Sequence, residues 1–335
     1  MSQVNQVIKD IKNNKLYPIY FLSGDEPFYI DLISKTIENE VLTEDEKGFN
    51  QSLIYGNDVS IDDVIGMAKQ FPMGAERQVI ILKEAQHLYR TIDRLEAYAN
   101  NPQPTTVLVV NYKGKTIDKR TKFSKTLAKS GLLLEFKKLY ENQIPDWIDS
   151  HAREMGMTID TKSKFMMTEF LGSDLGRIHN ELNKLKVISP DGKITPEIVE
   201  RNIGISKDYN NFELRNALET RNAPKAFQIA KYFSENPRDN KLLVTLGILY
   251  GAFSNIIVYH TLADKSQQNV AKELKIHPFF AKDASVAAKS YPLKKATRII
   301  SLLRDTDVKS KGVGASGNVS EHDLLNELIV KIFAI

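Results

Sequence analysis

Apolar positions in the first 140 residues follow two alternating patterns. Short continuous runs, YPIYFL at 17–22, QVIILK at 78–83 and TTVLVVN at 105–111, with a further one at 131–136, read as strands buried on both faces. Between them apolar residues recur every three or four positions, which predicts helices. The first helix spans 3–14, with Val4, Val7, Ile8 and Ile11 on one face. The next starts at Pro27 and ends near 41; proline suits a first helical turn, and Asp25 and Glu26 suit its cap. Further helices are predicted at 60–70, opening on Ser60-Ile61-Asp62-Asp63, at 92–99 and at 124–129, and one more strand at 51–55. Leu53, Ile65 and Ile80 are read as core. Apolar strands parted by helices imply a parallel sheet covered on both faces, an α/β domain ending near residue 140.

After Tyr140 the pattern becomes helical and no further strand is predicted. Helices at 142–154, 161–171, 175–188 and 195–202, with a Pro190-Asp191-Gly192 turn before the last, form a small helical domain. From 212 onward helices are expected at 212–219, 223–235, 238–263, 267–274, 278–287, 292–306 and 320–333, the glycine-rich stretch 311–317 parting the last two. The chain thus divides as 1–141, 142–208 and 209–335, which suits 335 residues of 42% hydrophobic content.

Composition removes several kinds of chemistry. With no cysteine, disulfides, thiolate zinc sites and cysteine nucleophiles are excluded. The lack of cysteine also fits a reducing cytoplasm. The opening MSQVNQVIKDIKNNK is polar and has no apolar run of signal-peptide type. The stretch 242–262 is long enough to cross a membrane, yet it carries Thr245, Ser254, Asn255 and His260 and is flanked closely by charge. A buried bundle helix is expected there, and no membrane partner.

Charge matters more by position than by sum, which is only +4. Residues 111–130 hold seven Lys or Arg against the single acid Asp118. Lys115, Lys119, Arg120 and Lys122 are the candidate contacts to a nucleic-acid backbone, and a solvated lysine surface fits the same residues.

A strand followed by glycine and a helix invites comparison with the phosphate-binding loop G-x-x-x-x-G-K-[ST]. Here the segment runs from Gly24 to Asp31, and Tyr29, Ile30 and Asp31 stand where Gly, Lys and Ser or Thr are required. No lysine is placed for the β- and γ-phosphates and no hydroxyl for magnesium. Gly24, Asp25, Glu26 and Pro27 form a degenerate loop in which carboxylates stand where the free amides of a helix N-terminus would attract phosphate. No cofactor is therefore expected. The strand at 78–83 ends on Lys83-Glu84-Ala85, without a paired Asp-Glu for magnesium. The six histidines show no metal-type spacing, Asp62-Asp63 reads as a helix start, and G-x-S-x-G is absent, so no catalytic site is visible.

These residues resemble a known family. YFLSGDEPF at 20–28 looks like the opening signature of the delta subunit of the bacterial DNA polymerase III clamp loader, in which an acidic loop occupies the phosphate-loop place. TIDKRTKF at 116–123, LGRIHNELNKL at 175–185, IHPFF at 276–280 and DTDVKSKG at 305–312 are similar to later family segments, in order along almost the whole chain. The resemblance implies an AAA+-like fold, with an α/β domain, a helical lid and a helical collar. It implies a replication role: binding the ring-shaped sliding clamp and helping to open it for loading onto primed DNA, while related subunits hydrolyse ATP. Implied partners are the clamp, gamma/tau and delta-prime type subunits through 209–335, and primer–template DNA without sequence specificity. The chain would then be a non-catalytic subunit of a DNA polymerase holoenzyme.

In that family the clamp-binding element follows a helix and precedes an R-x-[IV] strand start, which maps onto QFPMGAERQ at 70–78. Phe71 and Met73, flanking the stiffening Pro72, become the candidate wedge for a hydrophobic cleft. Read without the resemblance, they cap the core after the 60–70 helix. The family often carries a large apolar residue where Gly74 stands. Two other readings remain: an active AAA+ ATPase, and a DNA-binding regulator built on an ATPase-like fold.

Overall fold

The computed structural model describes residues 2–204, 206, 208–238, 240–313 and 320–335. Residues 314–317 of the expected glycine-rich breaker lie outside that set. The chain folds as two compact units, Met1–Leu139 and Tyr140–Ile335.

The first unit contains α1 (Ser2–Lys12), β1 (Ile19–Gly24), α2 (Pro27–Glu40), α3 (Glu44–Asn50), β2 (Gln51–Tyr55), α4 (Ile61–Ala68), β3 (Gln78–Lys83), α5 (Leu95–Ala99), β4 (Thr106–Lys113), α6 (Lys122–Ser130) and β5 (Leu132–Phe136). The strands form one sheet in the order β2-β3-β4-β1-β5, and every neighbouring pair is parallel. The register sets Phe21 opposite both Val110 and Leu133, and Ile81 opposite Leu53 and Val109. Alternate strand residues therefore face opposite layers. Ile19, Phe21, Ile80, Leu82, Leu108 and Val110 pack with Ile61, Val64, Leu95, Tyr98, Phe123 and Leu127 of α4, α5 and α6. The other face is covered by α2, which packs on β1, β3, β4 and β5 and is itself backed by α1. This is the α/β arrangement, a parallel sheet covered on both faces, that the alternating runs predict.

Two expectations need correction here. Leu53 is not core: it lies on the edge strand β2 and is 41% exposed. The helix α3 was not anticipated, because seven residues give too little periodicity. Its start is nonetheless written in the sequence as Thr43-x-x-Glu46. The Glu46 carboxylate accepts from the Thr43 amide at 2.9 Å and from its hydroxyl at 2.8 Å. Those hydrogen bonds hold the Glu46 carboxyl below its ordinary range.

The second unit begins with α7 (Ile144–Glu154), β6 (Thr158–Ile159), α8 (Thr161–Leu171), α9 (Leu175–Ile188), β7 (Lys193–Ile194) and α10 (Pro196–Ile203). It continues with α11 (Asn211–Glu219), α12 (Ala223–Glu235), α13 (Leu242–Thr261), α14 (Gln267–Leu274), α15 (Ala281–Ser290), α16 (Leu293–Ser310) and α17 (Glu321–Ala334). The expectation of no strand after Tyr140 is overturned by β6 and β7, a two-residue parallel pair. Such a pair has no periodicity to read. It forms because the 190–192 turn ends in Gly192 at φ +70, whose carbonyl accepts from the Thr158 amide at 2.7 Å.

The helix α13 packs against α11, α14, α15, α16 and α17. It buries Leu246, Leu249, Phe253 and Ile256 in the shared core but leaves Leu243, Val244, Tyr250 and Val258 exposed. The expected buried helix is thus buried on one side only. It is the one described helix with the length and apolarity to cross a membrane. Its packing accounts for that apolarity on the buried side.

Candidate functional site

Three groups of residues singled out in the sequence lie in the first unit. The first is the degenerate phosphate loop. Strand β1 ends at Gly24 with φ +116, and a Cβ built there would lie 2.1 Å from the Phe136 carbonyl oxygen. Only glycine fits so close a backbone approach. The Gly24 amide donates to the Lys115 carbonyl at 2.9 Å, and the Glu26 amide donates to the Phe136 carbonyl at 3.2 Å. A Glu26 carboxylate oxygen then accepts from the Phe28 amide at 3.2 Å, capping α2, while Pro27 supplies no donor. The Gly24, Glu26 and Phe28 amides are therefore committed to the turn after β4, to β5 and to the cap. Of the two carboxylates expected to cap this helix, Glu26 does so and is buried, whereas the Asp25 side chain is exposed.

The residues replacing Gly-Lys-Ser/Thr are also accounted for. Tyr29 and Ile30 are buried. Asp31 pairs with Lys113 at the end of β4, Nζ to Oδ1 2.7 Å, and the same ammonium lies 3.6 Å from Glu84. A lysine does reach this end of the sheet, but its charge is met by carboxylates of the chain itself.

The second group is the loop after α4. Phe71 is 76% exposed and Met73 69% exposed, so neither caps the core. Their backbone is fixed from both sides. The Asn50 amide oxygen accepts from the Met73 N–H at 2.7 Å, and the Asn50 amide nitrogen donates to the Met73 carbonyl at 3.0 Å. Gln78 ties down the loop's start, its side-chain nitrogen donating to the Gln70 carbonyl at 2.6 Å and to Thr106 Oγ1 at 2.8 Å. Gly74 has φ +66, a region where side chains are disfavoured. Sequence reasoning missed Asn50, whose role depends on a partner 23 positions away.

The third group is the basic segment. Lys119 pairs with Glu135 at 2.6 Å, Arg120 chelates Asp118 with its closest contact at 2.7 Å, and Lys122 pairs with Glu96 at 2.7 Å. Lys115 places its ammonium 3.6 Å from the centre of the Tyr89 ring. The Asp118 carboxyl is held below its usual range by the Arg120 side chain. Each of the four candidate phosphate contacts thus has a partner within the chain. Exposed pairs of this kind are worth about 0–1 kcal/mol and exchange readily.

In the second unit, two of the six histidines meet, which their spacing in the sequence gave no reason to expect. His151 Nε2 and His179 Nδ1 lie 2.8 Å apart, and Asn183 Nδ2 lies 2.9 Å from His179 Nε2. Burial, and then the neighbouring His179, hold His151 below the ordinary histidine range. Among the described residues no three His, Asp or Glu side chains converge as a metal site.

Fold and loop together define an α/β protein with a parallel five-stranded sheet, in which a capped strand–helix joint stands in the phosphate-loop place. Comparison with known proteins narrows this class. Residues 20–137 match the family described as DNA polymerase III, delta subunit, and residues 208–332 match the DNA polymerase III delta subunit, C-terminal domain. The chain belongs to the DNA polymerase III delta subunit family, whose work is DNA replication. It is 26% identical over 320 residues to DNA polymerase III subunit delta of Bacillus subtilis (strain 168), covering 92% of each chain. The solved structure of the Bacillus subtilis DNA clamp loader delta protein has the same fold, with a TM-score of 0.60 at 24% identity over 99% of this chain and 100% of that one.

Proposed function

We propose that this chain is the clamp-gripping subunit of a replicative clamp loader: it binds the sliding clamp, helps open it for loading onto primed DNA, and does not hydrolyse ATP. The observation that carries the reading is the pair Phe71 and Met73, two large apolar side chains held in water on a loop pinned by Asn50 and Gln78. A monomer gains nothing from exposing them, and a hydrophobic cleft on a partner would. Burying Phe71 contributes on the order of 2 kcal/mol. Pinning lowers the ordering entropy lost on binding, as does Pro72 within the loop. Capture of the purified chain by the clamp tests this directly. Phe71→Ser and Met73→Ser are each expected to weaken capture at least tenfold, and unchanged affinity in both would falsify the site.

The lack of ATPase activity is inferred from the committed amides of Gly24 and Glu26 and from the Asp31–Lys113 pair. An active ATPase predicts micromolar ATP binding in calorimetric titration, and the present reading predicts none. We further propose that 142–208 acts as the lid and 209–335 as the collar, joining gamma/tau and delta-prime type subunits. The apolar residues left exposed on α13 support an assembly role for this region. DNA contact through Lys115, Lys119, Arg120 and Lys122 would be to phosphates, by exchange of their present partners and without base specificity. A DNA-binding regulator would instead bind DNA alone with a steep salt dependence. The proposed setting is the cytoplasm, within a DNA polymerase holoenzyme.

A further inference from the structure

We infer that the clamp-docking surface is composite, built from two chain segments, and that Phe49 at the end of α3 is its third apolar anchor. The inference rests on the clamp-docking reading of Phe71 and Met73 and extends it to a different element.

Phe49 is 76% exposed, equal to Phe71 and more than Met73. It is the residue immediately before Asn50, and Asn50 is bonded through both atoms of its side-chain amide to the Met73 backbone. The last turn of α3 and the wedge loop are therefore latched together, with Phe49 one residue from the latch. The helix is itself held in place. Its N-terminus is closed by the Thr43–Glu46 capping box, its Lys47 pairs with Glu44 at 2.5 Å, and it runs directly into β2. The position of the Phe49 backbone is thus set before any partner arrives.

Area gives a second, independent reason. A phenylalanine or methionine side chain buries roughly 200 Å² at most. A specific protein–protein contact needs about 800 Å² from each partner. Phe71 and Met73 alone fall well short, so a clamp that receives them must also cover surface beside the loop. What lies beside the latch is a large aromatic side chain, the residue type that interfaces concentrate at their centres. Glu44, Asp45 and Glu76 of the same two segments are exposed, the kind of residue found at the polar rim of an interface. The occupant is the same ring clamp, its hydrophobic cleft taking Phe71 and Met73 and the margin of that cleft meeting Phe49.

The test is equilibrium binding of the full chain to its purified sliding clamp, comparing Phe49→Ser, Phe49→Leu, Phe71→Ser, Met73→Ser and the unaltered protein. Because Phe49 is exposed, its variants keep the thermal midpoint of the unaltered chain. Phe49→Ser is expected to weaken binding about tenfold, and Phe49→Leu, which keeps apolar area, to recover most of that loss. Should Phe71→Ser abolish capture while Phe49→Ser binds like the unaltered chain, the composite surface is refuted and the wedge reading stands. Should Phe71→Ser and Met73→Ser bind unchanged, the wedge reading fails and the present inference fails with it.

Discussion

Single residues decide what the two sites in the first unit can do. Gly24 allows β1 to press against β5 so closely that a methyl group would strike the Phe136 carbonyl at 2.1 Å. Gly24→Ala is expected to destabilise the first unit by roughly 3 kcal/mol or more, since positive φ and a backbone clash act together, as urea unfolding would measure. Asn50 plays the opposite part, fixing a loop rather than closing one. Asn50→Ala keeps the Phe71 and Met73 side chains yet removes both bonds to the Met73 backbone. Clamp affinity is expected to fall about tenfold through lost pre-organisation; Asn50→Asp, whose second oxygen would face the Met73 carbonyl, should bind no better. A purely structural role for Asn50 would lower the unfolding midpoint while leaving clamp affinity unchanged.

At the scale of elements, caps and buried charges carry the energetics. Removing the α2 cap with Glu26→Ala is expected to destabilise the first unit by about 1–2 kcal/mol, read from chemical unfolding. In α11 the Glu219 carboxyl is pushed up to about 7 by burial, with Asp283 adding to the rise and Arg215, 3.7 Å away, opposing it. The folded state therefore holds this proton more tightly than the unfolded chain, where the group titrates near 4.5. Its contribution to stability is complete below that value and is lost as pH rises through about 7. Glu219→Gln, neutral at every pH, should raise the thermal midpoint at pH 8 more than at pH 5. An equal gain at the two pH values would count against a buried, titrating Glu219.

For the whole molecule the open question is how the second unit is used. The helix α13 is apolar on nearly every side, but the bundle covers only one of them. Replacing Leu243 and Tyr250 with aspartate should leave the isolated chain's thermal midpoint unchanged, because both are exposed. The same change should abolish co-elution with partner loader subunits while capture by the clamp persists. Clamp binding lost together with assembly would argue that α13 serves the fold rather than partners.

Much of this organisation was legible in the sequence, and the reason is periodicity. A continuous apolar run gave the strand at 78–83 at the bounds the structure has, the expected strand at 51–55 also has them, and helical periodicity gave α8, α9, α12 and α14 likewise. Local chemistry also carries far: Tyr29, Ile30 and Asp31 stand where a phosphate-binding loop has Gly, Lys and Ser or Thr. What the sequence could not decide were matters of partnership between distant segments. Whether Phe71 and Met73 are core or surface depends on what covers them. That is determined by Asn50, 23 residues before Met73, and by Gln78 reaching back to Gln70. The pairing of Lys113 with Asp31 across 82 positions, and of His151 with His179 across 28, has the same character. Hydrophobic pattern sets which face of an element is buried, a property of neighbouring residues. Hydrogen bonds and ion pairs between segments depend on where packing brings the chain together, and only the tertiary structure decides that.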